Sequence, residues 1–361
     1  MIYNLSTLQT NLFGLVGFRQ SLETEFAILT AENIATSSGL YFNDFHPLIT
    51  TETIKNILPP TLSTANLNTE LSSMVKGSIA KVILEVIQKK KPQVKDLIQK
   101  MYLFDNEPEM ANLIDNNNYF VGYEFDLAKN NNIKVTINSI GTQFDGIKTF
   151  TIYLYHSSQA TAIASKEVTT VLDNSTFTDL TTFIMTYLSD NYVGGKYYIG
   201  YKQSDLGSVQ AIGRGFEDSG TQNATKYVGI KPIYVDTYSG VELPPLGDIK
   251  DSTYTHGLNF EITVSSDFTS FISDNKNMFA NLIGYQFAYD MLERIINSTR
   301  NNAIKKETRS YAFAELHGTD ANREIGLSWR LQQAIKESEF DLSSIDSMFL
   351  PARDRFSFAG L

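Results

Sequence analysis

The spacing of apolar residues changes period twice along this chain, and that double change limits the fold more than any single motif does. In the first hundred residues the spacing is helical. Leu8, Leu12, Leu15, Arg19, Leu22, Phe26 and Leu29 recur at alternating steps of four and three, a heptad seam with one charged interruption. Ser6 and Gln9 have the spacing of a capping box at its start. Gly14 and Gly17 oppose a continuous helix, each costing about 1 kcal/mol relative to alanine. Such a helix packs either within its own domain or between subunits, so Leu8, Leu12, Leu15, Leu22, Phe26 and Leu29 are candidate oligomer-interface residues. A short helix runs toward Ile57 and stops at Pro59–Pro60. A second carries the stripe Leu71, Val75, Ile79, Val82 and Val86 and ends before Pro92. Val94 to Leu103 reads as a further short helix, and Asp105 to Asn118 as a linker rich in acidic residues and asparagine.

From Tyr119 the period falls toward two. In IKVTINSI the apolar residues nearly alternate with polar ones, and in TFTIYLYH Phe150, Ile152, Leu154 and His156 share one face. These segments are short, β-branched or aromatic, and bounded by Asn, Asp and Gly turns. They predict an antiparallel sandwich of the jelly-roll sort. FTDLTTFIMTYL fits either a strand or a helix. IKPIYVDTYSGVEL and LNFEITVS add strands.

Helical spacing returns near Phe268, where Phe279, Ile283, Phe287, Met291 and Ile295 form one side of a helix and Leu282, Leu292 and Ile296 widen it. A last helix carries Leu327, Leu331, Ala334 and Ile335 after a break at Gly318. The expected class is α+β. Residues 1–118 form an N-terminal helical arm, 119–265 an inserted β-sandwich, and 266–361 a C-terminal arm that packs with the first.

Composition narrows the function. A formal charge of -10 disfavours a general nucleic-acid binder, which needs clustered Lys and Arg to neutralise phosphate. The run Lys89–Lys91 is accounted for as cations near the negative end of a helix. With no cysteine there is no disulfide, thiol nucleophile or thiolate metal site. The first cation is Arg19, so no secretory n-region is expected. No apolar run approaches the roughly 20 residues that a membrane helix requires, so no membrane insertion is expected either.

The chemistry-bearing residues are scattered. His46, His156, His256 and His317 are far apart in sequence and make no short metal motif. Glu124 and Asp126 share a strand face in YEFD, close enough for one cation or sugar, although such pairs are ordinarily a solvated face. Asp115 to Asn118 lacks the glycine and glutamate of a calcium loop and reads as a turn. No catalytic residue, metal ligand or cofactor is expected. In GGKYYIGYKQSDLG, Tyr197, Ile199 and Tyr201 point one way on a strand, Tyr198 and Gly200 the other. The first set suits a core. Tyr198 beside Gly200 is the candidate ligand platform, a flat ring for a sugar to stack on. A carbohydrate- or receptor-binding module is therefore the alternative function.

The stretches GLYFNDFHPLIT and YYIGYKQSDLG, with an Asn- and Tyr-rich composition that favours lysine over arginine, resemble proteins encoded with the virion genes of tailed phages and prophages of Bacteroidota. The resemblance covers the layout of the whole chain. It implies a structural virion protein without enzymatic activity: a neck, head–tail connector or tail-associated subunit that assembles into a homo-oligomeric ring in the host cytoplasm. Its partners would be its own copies and neighbouring virion proteins. An acidic ring would let DNA pass without specific binding.

Overall fold

The computed structural model describes residues 3–20, 29–57, 64–90, 96–104, 113–171, 176–216, 225–238, 240, 242–297, 305–318 and 326–338. Helices and antiparallel sheets are both present, so the chain is of the α+β class. It divides into two compact units, each assembled from discontinuous segments. One comprises residues 5–92 and 271–342, the other 1–4, 93–270 and 343–361.

In the first unit the chain runs through α1 (Leu5–Leu12), β1 (Val16–Gly17), α2 (Ala31–Ile34), β2 (Leu40–Tyr41), α3 (Phe42–Phe45), α4 (Thr51–Ile57) and α5 (Thr64–Lys90). The expected seam from Leu8 to Leu29 is not one helix. Helix α1 stops at Leu12, and Gly14 takes φ 77, a left-handed turn that glycine adopts without penalty and that sends the chain into β1. β1 then pairs in parallel with β2. Leu8, Leu12 and Leu15 are 0%, 1% and 1% exposed, so they fill this unit's own core and cannot also form an oligomer interface. Leu29 is buried as well. Leu22 and Phe26 lie outside the described residues. The capping box is also replaced: Gln9 Nε2 donates to the Lys76 carbonyl on α5 at 2.8 Å.

The stripe on α5 is buried as its spacing requires: Leu71, Val75, Ile79, Val82 and Val86 all face inward. Past α6 (Thr269–Asp274), helix α7 (Ala280–Asn297) buries Leu282, Ile283, Phe287, Met291, Leu292 and Ile295. So broad an apolar surface needs several neighbours, and α7 packs against α5 and against α8 (Lys305–His317) and α9 (Leu327–Glu337). Phe18, Phe42 and Phe287 meet with ring centroids 4.2–5.4 Å apart. Between α5 and α7, Asp290 accepts hydrogen bonds from Ser78 Oγ and Lys81 Nζ, both at 2.7 Å, and from Gln286 Nε2 at 2.9 Å. The single carboxylate thus gives the buried Ser78 and Gln286 an acceptor and pairs with the exposed Lys81.

In the second unit the segment expected as a helix at 94–103 is a strand, β3 (Asp96–Tyr102). Pairing with a neighbouring strand overrides local propensity here, at the cost of two register shifts and a left-handed Lys100 at φ 44. The sheet unit accordingly begins near residue 93 rather than 119. Within the expected linker, β4 (Leu113–Ile114) is paired too. There follow β5 (Phe120–Asp126), β6 (Ile133–Thr142), β7 (Thr149–His156), β8 (Gln159–Thr169), β9 (Thr176–Thr186), β10 (Lys196–Lys202), β11 (Ala211–Ile212), β12 (Gly229–Val235), β13 (Lys250–Asp251) and β14 (Leu258–Ser266). The ambiguous FTDLTTFIMTYL is therefore strand over Thr176–Thr186.

One antiparallel sheet has the order β13-β12-β5-β10-β7-β8, another β3-β14-β6-β9, and β4 pairs with β11. Alternation puts Val121, Tyr123 and Phe125 of β5 and Tyr197, Ile199 and Tyr201 of β10 on one fully buried face. That face meets the second sheet at Phe260, whose ring lies 5.3 Å from Tyr123 and 6.1 Å from Phe125. The phenol tips find backbone acceptors. Tyr123 Oη donates to the Leu258 carbonyl and Tyr201 Oη to that of His256, each at 3.1 Å, while Tyr197 Oη donates to Thr186 at 2.6 Å. Burial pushes all three hydroxyls well above their ordinary pKa, so they remain neutral donors.

Candidate functional site

The opposite face of the six-stranded sheet gathers the residues singled out for chemistry. Alternation along β5 puts Phe120, Gly122, Glu124 and Asp126 on it, and the register sets Tyr198 opposite Glu124 and Lys196 opposite Asp126. From the other side, β12 brings Lys231 opposite Glu124. Three strands distant in sequence thus converge on a single carboxylate.

Glu124 is only 6% exposed. Its Oε1 lies 2.8 Å from Lys196 Nζ and 3.7 Å from Lys231 Nζ, and Lys231 also pairs with Asp251 on β13. Both ammonium groups reach solvent while the carboxylate does not. Burial lowers the Lys231 pKa, but Asp251 and Glu124 outweigh it and hold the group above its usual value. The arrangement is a cross-strand clamp in which a buried charge is doubly paired. Asp126 takes no part. Its Oδ1 accepts the Ala128 N–H at 2.8 Å and caps the short 3-10 turn at Leu127–Lys129. The carboxylates that share a face in the sequence therefore do separate jobs.

Tyr198 is not a platform. It is 3% exposed and packs with Phe120, Tyr155, Ile233, Val235 and Leu243. Periodicity alone leaves this face open. It is covered by residues 236–238, 240 and 242–249, which connect β12 to β13, with Leu243, Tyr238 and Ile249 packed against the cluster. This cover is anchored where Tyr119 Oη donates to the Gly240 carbonyl and where Leu243 N–H donates to Ala160 on β8, both at 2.7 Å. Burial, helped by Glu124 and Asp126, pushes the Tyr198 hydroxyl up to about 12.

Each histidine has a defined setting. His46 Nδ1 accepts the Leu48 N–H, and its Nε2 is 3.5 Å from Glu315. His256, at φ 52, holds Ser252 Oγ at 2.9 Å, and burial pushes its pKa down to about 4. His317 lies beside the Phe313 ring. His156 is fully buried, with Nε2 2.6 Å from the Gly194 carbonyl and Nδ1 2.7 Å from Ser158 Oγ, and its ring stacks on Tyr192 at 3.9 Å. Among the described residues no three His, Asp or Glu side chains gather where a metal ion could sit, and no helix is long and apolar enough to cross a membrane.

Sequence reasoning found Glu124 and Tyr198 but missed Lys196, Lys231 and Asp251, which become neighbours only through strand register. It also missed Ser158, whose only signal is its place two residues after His156 in the turn between β7 and β8. Comparison with known proteins gives no match to any family model, curated protein or solved structure.

Proposed function

We propose that this chain is a non-enzymatic structural protein of a tailed-phage virion, a neck, head–tail connector or tail-associated subunit that joins its own copies in a ring. The observation that carries the reading is β8. It ends the six-stranded sheet, runs for 11 residues and buries only Val168. The Ala160 carbonyl at its start already accepts the Leu243 N–H, but beyond it an edge strand of that length offers a row of backbone donors and acceptors to another chain. Folded monomers ordinarily blunt such edges with proline, bulges or several inward charges. β8 contains no proline, and its exposed residues are mostly Ala, Thr and Ser; its charges are the pair Lys166–Glu167, and its register shift lies near its start, opposite Leu154–His156.

In this reading the two sheets are a jelly-roll-like sandwich inserted between helical arms that form one module, an arrangement supported by the discontinuity of the two units. Glu124 and Tyr198 favour a structural role as well, because the carboxylate is doubly clamped and the ring is buried. A net charge of -10 suits a conduit through which DNA slides without sticking, inside a particle assembled in the host cytoplasm. Mass photometry of the purified chain tests the proposal. Discrete closed oligomers are expected, and a monomer at every concentration, absent from purified particles, would refute it.

A further inference from the structure

Hydrogen-bond geometry fixes the tautomer of His156. The Gly194 carbonyl can only accept, so at 2.6 Å the proton on the ring must be carried by Nε2. Nδ1 is then a bare acceptor. It receives the Ser158 backbone N–H at 3.1 Å, and Ser158 Oγ, 2.7 Å away, must direct its own hydrogen there. Ser158 lies in the turn between β7 and β8 and is exposed, whereas the imidazole behind it is buried and stacked on Tyr192. Burial lowers the His156 pKa more than the Gly194 carbonyl raises it, so the ring rests neutral with Nδ1 unprotonated. A hydroxyl bonded to a base that a third group orients is the arrangement that activates a serine nucleophile.

We propose that Ser158 is an activated nucleophile, with His156 as its general base, that is acylated once by activated carboxylic esters. The Oγ lone pair attacks the ester carbonyl carbon as the hydroxyl proton passes to Nδ1. The carbon–oxygen bond to the leaving group then breaks, and the departing oxide takes that proton back. The products are an acyl-serine and a free alcohol or phenol, and Nδ1 is restored. This inference goes beyond the assembly reading and does not depend on it: it concerns stoichiometric capture, not turnover.

The test treats the full chain with p-nitrophenyl acetate, and separately with a fluorophosphonate probe, and locates the adduct by peptide mass spectrometry. One adduct per chain at Ser158 is expected, forming at least about tenfold faster than at any other serine, a modest share of what a positioned base supplies. It should vanish in Ser158→Ala and persist in Ser157→Ala. Unfolding the wild-type chain in urea should slow reaction at Ser158 at least about tenfold, since it removes the base; this control needs no variant to fold. No adduct at Ser158 in the folded chain, or equal reactivity when unfolded, overturns the proposal. So does a His156→Gln protein that is folded by circular dichroism and reacts at the wild-type rate.

Discussion

Gly200 on β10 lies directly opposite Gly122 on β5, and the two strands approach so closely that neither position has room for a side chain. A Cβ on Gly122 would sit 2.0 Å from the Ile199 carbonyl oxygen, and one on Gly200 2.0 Å from that of Val121, with the Phe120 ring 2.9 Å away. The obstruction is backbone in the middle of a sheet, which cannot step aside. Gly200→Ala is expected to destabilise the protein by about 1–3 kcal/mol, the usual cost of overpacking a core. A lower urea midpoint checks this, and an unchanged one would show that the strands can separate without cost.

Two helical glycines should respond in opposite directions. Gly77 on α5 is exposed with no atom within 4 Å of an added Cβ, so Gly77→Ala should stabilise by about 0.5–1 kcal/mol. Gly284 on α7 has the Phe45 ring 2.1 Å from that position, so Gly284→Ala should displace the ring and destabilise. Thermal melts of the two variants side by side provide the comparison.

The clamp on Glu124 can be measured by a double-mutant cycle. Lys196→Met leaves the carboxylate with Lys231 alone and should cost about 1 kcal/mol, less than for a fully buried pair because the lysine end reaches water. Glu124→Gln combined with Lys196→Met should cost less than the sum of the single changes, by roughly 0.5 kcal/mol or more. Strict additivity in urea unfolding would mean that the contact contributes no net coupling.

Acid should weaken the fold through its buried histidines. The pKa of His256 is about 4 in the folded protein against an ordinary 6.5, so the unfolded chain binds the proton more readily. The stability this group contributes is fully present above about 6.5 and is lost as pH falls from there toward 4, up to about 3 kcal/mol. Burial lowers His156 and His46 too, which adds in the same direction. Asp267 opposes them, since burial raises its pKa and its contribution grows on acidification. Urea midpoints at pH 7.5 and pH 5 should therefore differ, and His256→Asn, which keeps a residue tolerant of φ 52, should reduce the difference.

If β8 joins copies of the chain, Thr161→Lys with Ala162→Lys should dissociate the assembly without unfolding it, because both positions are exposed. Mass photometry would report the shift to monomer, and circular dichroism the retained fold.

Long periodic segments were legible in the sequence and contacts between distant segments were not. The stripe on α5 and the alternation in the first half of β6 name their buried residues directly, since each reflects one face of a regular element. The heptad run failed because a repeat of leucines says nothing of the turn that Gly14 makes within it. The stretch at 96–102 failed because its strand character is imposed by β14, more than 150 residues later in the chain. Tyr198 was placed on the correct face, but what covers that face comes from a segment with no regular period. The lysines of the clamp were invisible for the same reason: register, not spacing, makes them neighbours.

The helical unit is built from 5–92 and 271–342, which bears on how the chain is made. A ribosome releases the apolar stripe of α5 long before α7 exists to cover it. During that interval α5 has only α1 and α2 among the helices already made to pack against, while the whole sheet segment, 93–270, emerges and is free to fold. Closure of the helical unit thus waits for the last quarter of translation, and chaperone binding to α5 in stalled chains should end once α7 has cleared the exit tunnel.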